Sequence, residues 1–87
     1  MAISSGQITI GLTRVAIDGV STNPFHLHIH NNENTKSLYV GGPDLTISNG
    51  LKIPGGDSLE VIIAPNNQLY VVSDSGTHLI SWLRMDV

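Results

Sequence analysis

Three histidines alternate with apolar residues in His26-Leu27-His28-Ile29-His30. In an extended strand such alternate side chains leave one face about 6.5 to 7 Å apart. Imidazole ligates zinc, copper and nickel, and three protein nitrogens plus a water make a metal site of catalytic type. Three residues strung along one straight strand cannot all reach a single tetrahedral ion, so a fourth ligand, His78 or Glu33, would have to arrive from elsewhere. The simpler reading makes His26, His28 and His30 the polar face of a strand whose other face carries Phe25, Leu27 and Ile29. It needs neither metal nor cofactor. The alternative is a metal, or a pH-sensitive contact, shared at a subunit interface.

Other catalytic patterns are weaker. Asp74-Ser75-Gly76-Thr77 has the order of an aspartic protease motif, in which carboxylates from two subunits share a proton. Here Ser73 precedes the aspartate where that motif carries apolar residues, and nothing reads as a flap. Asp-Ser-Gly is also ordinary β-turn chemistry, which is the reading adopted. No Gly-x-Ser-x-Gly elbow is present. The pairs Gly41-Gly42 and Gly55-Gly56 do not open helices, so they lack the amide cradle that holds phosphate. Four aromatics, Phe25, Tyr39, Tyr70 and Trp82, are too few for a stacking platform. The sequence therefore offers no catalytic, cofactor or metal residues.

These residues must be positioned by strands. No stretch sustains apolar residues at helical spacing, and short β-branched runs recur between Gly, Pro, Asn and Asp clusters. Gln7 to Val15 alternates, and the change of phase at Val15 and Ile17 predicts a bulge or bend near Arg14. Asp18 to Pro24 is turn chemistry, Phe25 to His30 a strand, Asn31 to Lys36 a polar loop, and Ser37 to Val40 a short strand. Leu45 to Ser48 and Leu51 to Ile53 flank Asn49-Gly50, which predicts a type I′ hairpin. Ser58 to Ala64, with Val61-Ile62-Ile63 continuous, reads as a strand covered on both faces. Gln68 to Ser73 and Thr77 to Met85 complete about eight short strands: an all-β, antiparallel sandwich or jelly roll.

A chain of 87 residues holds one domain. Residues 7–87 form it, and Met1 to Gly6 is expected to be an N-terminal extension. Charged residues are only 13% of the chain, while Ser, Thr, Asn and Gln together number 24. Such an uncharged polar surface suits lasting contacts. The cations Arg14, Lys36, Lys52 and Arg84 are too few and scattered for a nucleic-acid face. Cysteine is absent, which removes disulfides and thiolate sites. No apolar run reaches bilayer length and the first residues lack a signal-peptide pattern, so the expectation is a product of the cytoplasm with no membrane partner.

From Phe25 onward the order of elements resembles a small β-module of tailed-bacteriophage virions. The likeness rests on His30-Asn31-Asn32, Ser37-Leu38-Tyr39-Val40-Gly41-Gly42-Pro43-Asp44-Leu45-Thr46 and Ser48-Asn49-Gly50. It continues in Ile53-Pro54-Gly55-Gly56-Asp57-Ser58-Leu59, Leu69-Tyr70-Val71-Val72-Ser73 and Ser75-Gly76-Thr77. The resemblance implies a small, non-enzymatic virion protein, commonly a homotrimer, that decorates and cements the head by bridging copies of the major capsid protein. Domains of head or tail fibres are the other members, but a fibre normally adds a repetitive shaft.

The expected core is Ile8, Ile10, Leu27, Ile29, Leu38, Val40, Leu59, Val61, Ile63, Leu69, Val71 and Leu83. Tyr70, Ile80 and Trp82, on the opposite phase, are the expected intersubunit surface. His26, His28, His30, Asn32, Lys36 and Lys52 are further candidates for contact with a partner. Two other functions compete: a fibre or tail-tip module binding a receptor or carbohydrate, and a cupin-like metal enzyme built on the histidine strand.

Overall fold

The computed structural model describes residues 3–17 and 21–86. These form eight strands and no helix: β1 (Ile3–Ile10), β2 (Val15–Ile17), β3 (Phe25–Asn31), β4 (Leu38–Gly41), β5 (Leu51–Ile53), β6 (Ser58–Ile63), β7 (Leu69–Ser73) and β8 (His78–Asp86). They build two four-stranded antiparallel sheets, ordered β1-β8-β3-β6 and β2-β7-β4-β5. This is the strand order of an eight-stranded jelly roll, with the chain crossing between sheets at almost every connection. The expected all-β sandwich is what forms.

Alternation explains each inner face. On β3, Phe25, Leu27 and Ile29 point between the sheets and are buried. They meet Leu38 and Val40 of β4 and Val71 of β7 in a core that also holds Ile10, Ile17, Ile53, Ile63 and Ile80. Each such side chain contributes about 1.5 to 3 kcal/mol by leaving water. Ile8, Leu59, Val61 and Leu69 are partly buried against the core. Of the bulge or bend expected near Arg14, the bend is what forms: residues 12–13 bend where the chain crosses between sheets, β1 ending at Ile10 and Val15 opening β2. Of the Asp18–Pro24 turn, residues 18–20 lie outside the described residues.

Five expectations are corrected. Leu83 is 42% exposed, whereas Ile80 is wholly buried. Strand β8 carries large apolar residues on both phases, and its pairing with β1 and β3 turns the even-numbered set inward. Ile62 is 64% exposed because β6 is a sheet edge with no described residue covering its outer face. Ile3 to Gly6, expected as an extension, pair with Met85, Arg84, Leu83 and Trp82 as part of β1, while residues 1 and 2 lie outside the described residues. Leu45 to Ser48 is no strand, and neither Asn49 nor Gly50 takes the positive φ of a type I′ turn. Instead residues 42–50 fold back, with Asn49 N and Gly50 N donating to Thr46 O at 3.3 and 3.0 Å. The gain is burial of Leu45, which packs near Tyr39 and Gly41 on the outer face of the second sheet, where Val72 is also buried.

Candidate functional site

The outer face of β1-β8-β3-β6 carries the histidines, as alternation requires. Cross-strand register arranges this face in rows. Ile3, Met85, His26 and Ile62 form one, and Ser5, Leu83, His28 and Glu60 the next. Gln7, Ser81, His30 and Ser58 form a third, and Thr9 and Leu79 follow. Four apolar residues on this face stand in water: Ile3, Leu79, Leu83 and Ile62. Some of the polar ones are tied to one another. Ser81 Oγ accepts from Asn32 Nδ2 at 2.7 Å and from Gln7 Nε2 at 3.4 Å. His28 Nδ1 lies 3.7 Å from a Glu60 carboxylate oxygen, an exposed contact worth little by itself. A shallow hollow of about 230 Å³ lies between His28, His30, Ser81 and Leu83 on this face.

Among the described residues no group of three or more His, Asp or Glu side chains is placed to hold a metal ion. Neither proposed fourth ligand joins the strand histidines in such a group. His78 is turned to the inner side of β8, and Glu33 lies in the 32–37 loop.

The other candidates do not form one surface. Ile80 is a core residue, so it cannot be an intersubunit contact. Trp82 faces inward, partly buried against the core with its indole over Gly6. Tyr70 lies on the outer face of the second sheet, beside Ala16 and Gly41, on the far side of the sandwich from the histidines. Lys52 is exposed on the edge strand β5. Lys36 is half-buried and donates from Nζ to Thr77 O at 2.9 Å.

Alternation alone did not reveal the buried polar groups. Asn31 continues the inward phase of β3 and is fully buried. Its Nδ2 donates to Lys36 O at 2.8 Å and Ile53 O at 3.2 Å, and its Oδ1 accepts from Glu33 N at 3.1 Å. It thereby fixes the loop carrying Asn32 and Lys36 to β5. The signal was an asparagine at an inward position, which only such a network can satisfy.

Ser73 and His78 form a second buried pair, Oγ to Nδ1 at 3.2 Å. Ser73 Oγ also donates to Ser75 O at 3.1 Å and accepts from Ser75 N at 3.2 Å. With its one proton so used, Ser73 accepts from a protonated Nδ1, leaving Nε2 as a buried lone pair without a partner. Burial lowers the His78 pKa, the Lys36 ammonium lowers it further, and Asp74 and Glu33 oppose the shift. The Ser73 hydroxyl closes a turn, and the residue has no exposed surface. The 74–77 segment is the expected turn: Asp74 Oδ1 accepts from Ser37 N, and Gly76 takes φ 58°. A groove of about 490 Å³, lined by Leu12, Arg14, Leu45, Ile47, Val72, Ser73 and Asp74, lies elsewhere and brings no histidine together.

No family model matches the chain, and no curated protein matches it in sequence. Among solved structures it is similar to a protein of the Bacillus endospore appendages, described as a novel family of disulfide-linked pili. The TM-score is 0.53 at 12% identity, over 99% of this chain and 86% of that one. At that identity the likeness concerns the fold. No described helix is long and apolar enough to cross a membrane.

Proposed function

We propose that this chain is a structural, non-catalytic module that works by being built in many copies into a larger particle. Its specific form is a homotrimer on a bacteriophage capsid, bridging major capsid proteins. The observation that carries the assembly reading is the outer face of β1-β8-β3-β6, where Ile3, Leu79, Leu83 and Ile62 stand exposed in a chain with 13% charged residues. Of the seven large apolar residues described as exposed, these four share one sheet face, with Ile3 and Ile62 at its two edges, while Leu12, Ile47 and Leu51 are exposed elsewhere; a face that carries most of the exposed apolar surface suits contact with a partner. The capsid form rests on the resemblance of the segments from His30 to Thr77. Function here is added binding free energy: each contact is small, and repetition by symmetry multiplies it.

A second reading, a subunit of a pilus-like filament, is favoured by the fold likeness to the endospore appendage protein. With no cysteine, such a filament would be held by non-covalent contacts. Copy number in the purified particle, measured by quantitative mass spectrometry, separates the readings. Hundreds of copies on intact heads support decoration, a handful indicates a fibre or tail tip, and recovery in fibres without heads supports the filament. Stoichiometric metal in protein purified without a histidine tag would instead revive the enzyme.

A further inference from the structure

The two sheets have four edges, and they differ in how they are protected. Strands β2 and β5 are three residues long, and β5 carries Lys52. Strand β1 is eight residues long, with neither a charge nor a proline in Ile-Ser-Ser-Gly-Gln-Ile-Thr-Ile. Strand β6, the other edge of the same sheet, is six residues long with Glu60 as its single charge. Short strands, charges and prolines are how sheets avoid adding further strands, and β1 uses none of them. Its outward-facing backbone N–H and C=O groups are a template for another strand.

The occupant follows from the rows. All pairings in the sheet are antiparallel, so β1 and β6 run in opposite directions. A second copy set beside the first with its strands in the same sense therefore brings its β1 against β6 in antiparallel pairing. Ile3 and Ile62 are the two ends of a single row, joined through Met85 and His26, and are 66% and 64% exposed. With the row continued without offset, Ile62 of one copy stands directly beside Ile3 of the next, about 4.5 to 5.5 Å apart at Cβ. The adjoining rows place Glu60 beside Ser5 and Ser58 beside Gln7, so the carboxylate meets a hydroxyl and no like charges oppose. A two-fold β1-to-β1 contact would leave Ile62 in water. A two-fold β6 contact centred on Glu60 would oppose two carboxylates.

We infer that β1 of one copy adds to β6 of the next, Ile3 against Ile62, to make a sheet that runs through successive subunits. This head-to-tail contact closes as a ring or continues as a filament according to the rotation between copies. It deepens the assembly reading and rests on it, naming the partner as a second copy of this chain.

Cysteine pairing tests it, since the chain has no cysteine of its own. Ile3→Cys/Ile62→Cys in one chain cannot bridge internally, because the two edges lie about 14 Å apart across the sheet. Mild oxidation of the double variant is expected to give a ladder of covalent oligomers on a non-reducing gel, stopping at three for a closed trimer. Each single variant should give none above dimer. Independently, Ile3→Lys and Ile62→Lys should each weaken association at least tenfold, and Ile3→Lys/Ile62→Asp should restore it. If the wild type associates but no ladder forms and both lysine variants associate normally, the contact lies elsewhere: this inference fails and the assembly reading stands. A wild type that stays monomeric to roughly 100 μM overturns both.

Discussion

Replacing Asn31 by alanine should destabilise the sandwich far more than its polar character implies. The side chain is wholly buried and makes three hydrogen bonds, to Lys36 O, Ile53 O and Glu33 N. Each is worth about 1 kcal/mol net, and leaving a buried carbonyl such as that of Ile53 unpaired costs about 1 to 3 kcal/mol. The expected loss is about 3 to 5 kcal/mol, against roughly 4 to 13 kcal/mol of total stability for 87 residues. With a urea m-value of about 1 to 1.5 kcal/mol/M, the midpoint falls by about 2 to 5 M at unchanged m. Asn31→Asp separates bonding from packing. It keeps the acceptor for Glu33 N but turns oxygen toward two carbonyls, which raises the new carboxyl's folded pKa above its unfolded value. The native state then holds the extra proton, so stability is greatest in acid and is lost as pH rises. Urea titrations at pH 4 and pH 8 read the difference. An Asn31→Ala loss below about 1 kcal/mol, or a pH-independent Asn31→Asp, would refute the assignment of Asn31 as the link between the 32–37 loop and β5.

Three further outcomes follow from the same packing. Ile80→Ala should cost about 2 to 5 kcal/mol in urea unfolding, and Leu83→Ala less than about 1 kcal/mol, because only the first opens a cavity between the sheets. The lowered pKa of His78 means the unfolded chain binds more protons, so its contribution to stability is present above the unfolded value of about 6.5 and declines as pH falls through it. His78→Gln should flatten that decline, seen as a smaller difference between urea midpoints at pH 8 and 5.5. A Cβ on Gly55 would clash with the backbone carbonyl oxygens of Asn34 and Glu33, atoms that cannot swing away, so Gly55→Ala should lower the melting temperature by several degrees.

Much of the fold was legible because β3 alternates cleanly: its apolar set could face only the core, and its histidines only water. Strand β8 was not legible, since Leu79, Ile80, Trp82 and Leu83 put large apolar groups on both phases. Only its neighbours' register decides between them. Asn49-Gly50 misled for a related reason, the local turn preference giving way to burial of Leu45. Ile3 to Gly6 looked like an extension because strand membership there depends on β8, some 80 residues away in sequence. The candidate site divides in the same manner. The histidine face was readable from spacing, whereas the row joining Ile3 to Ile62 through β8 and β3 exists only once four distant segments are aligned.

Whether the chain associates with its own copies is read by sedimentation velocity of the untagged protein over a hundredfold range of concentration. A self-assembling module shows a mass that rises with concentration toward a trimer or longer multiples. A single 9.3 kDa species at every concentration would contradict self-assembly.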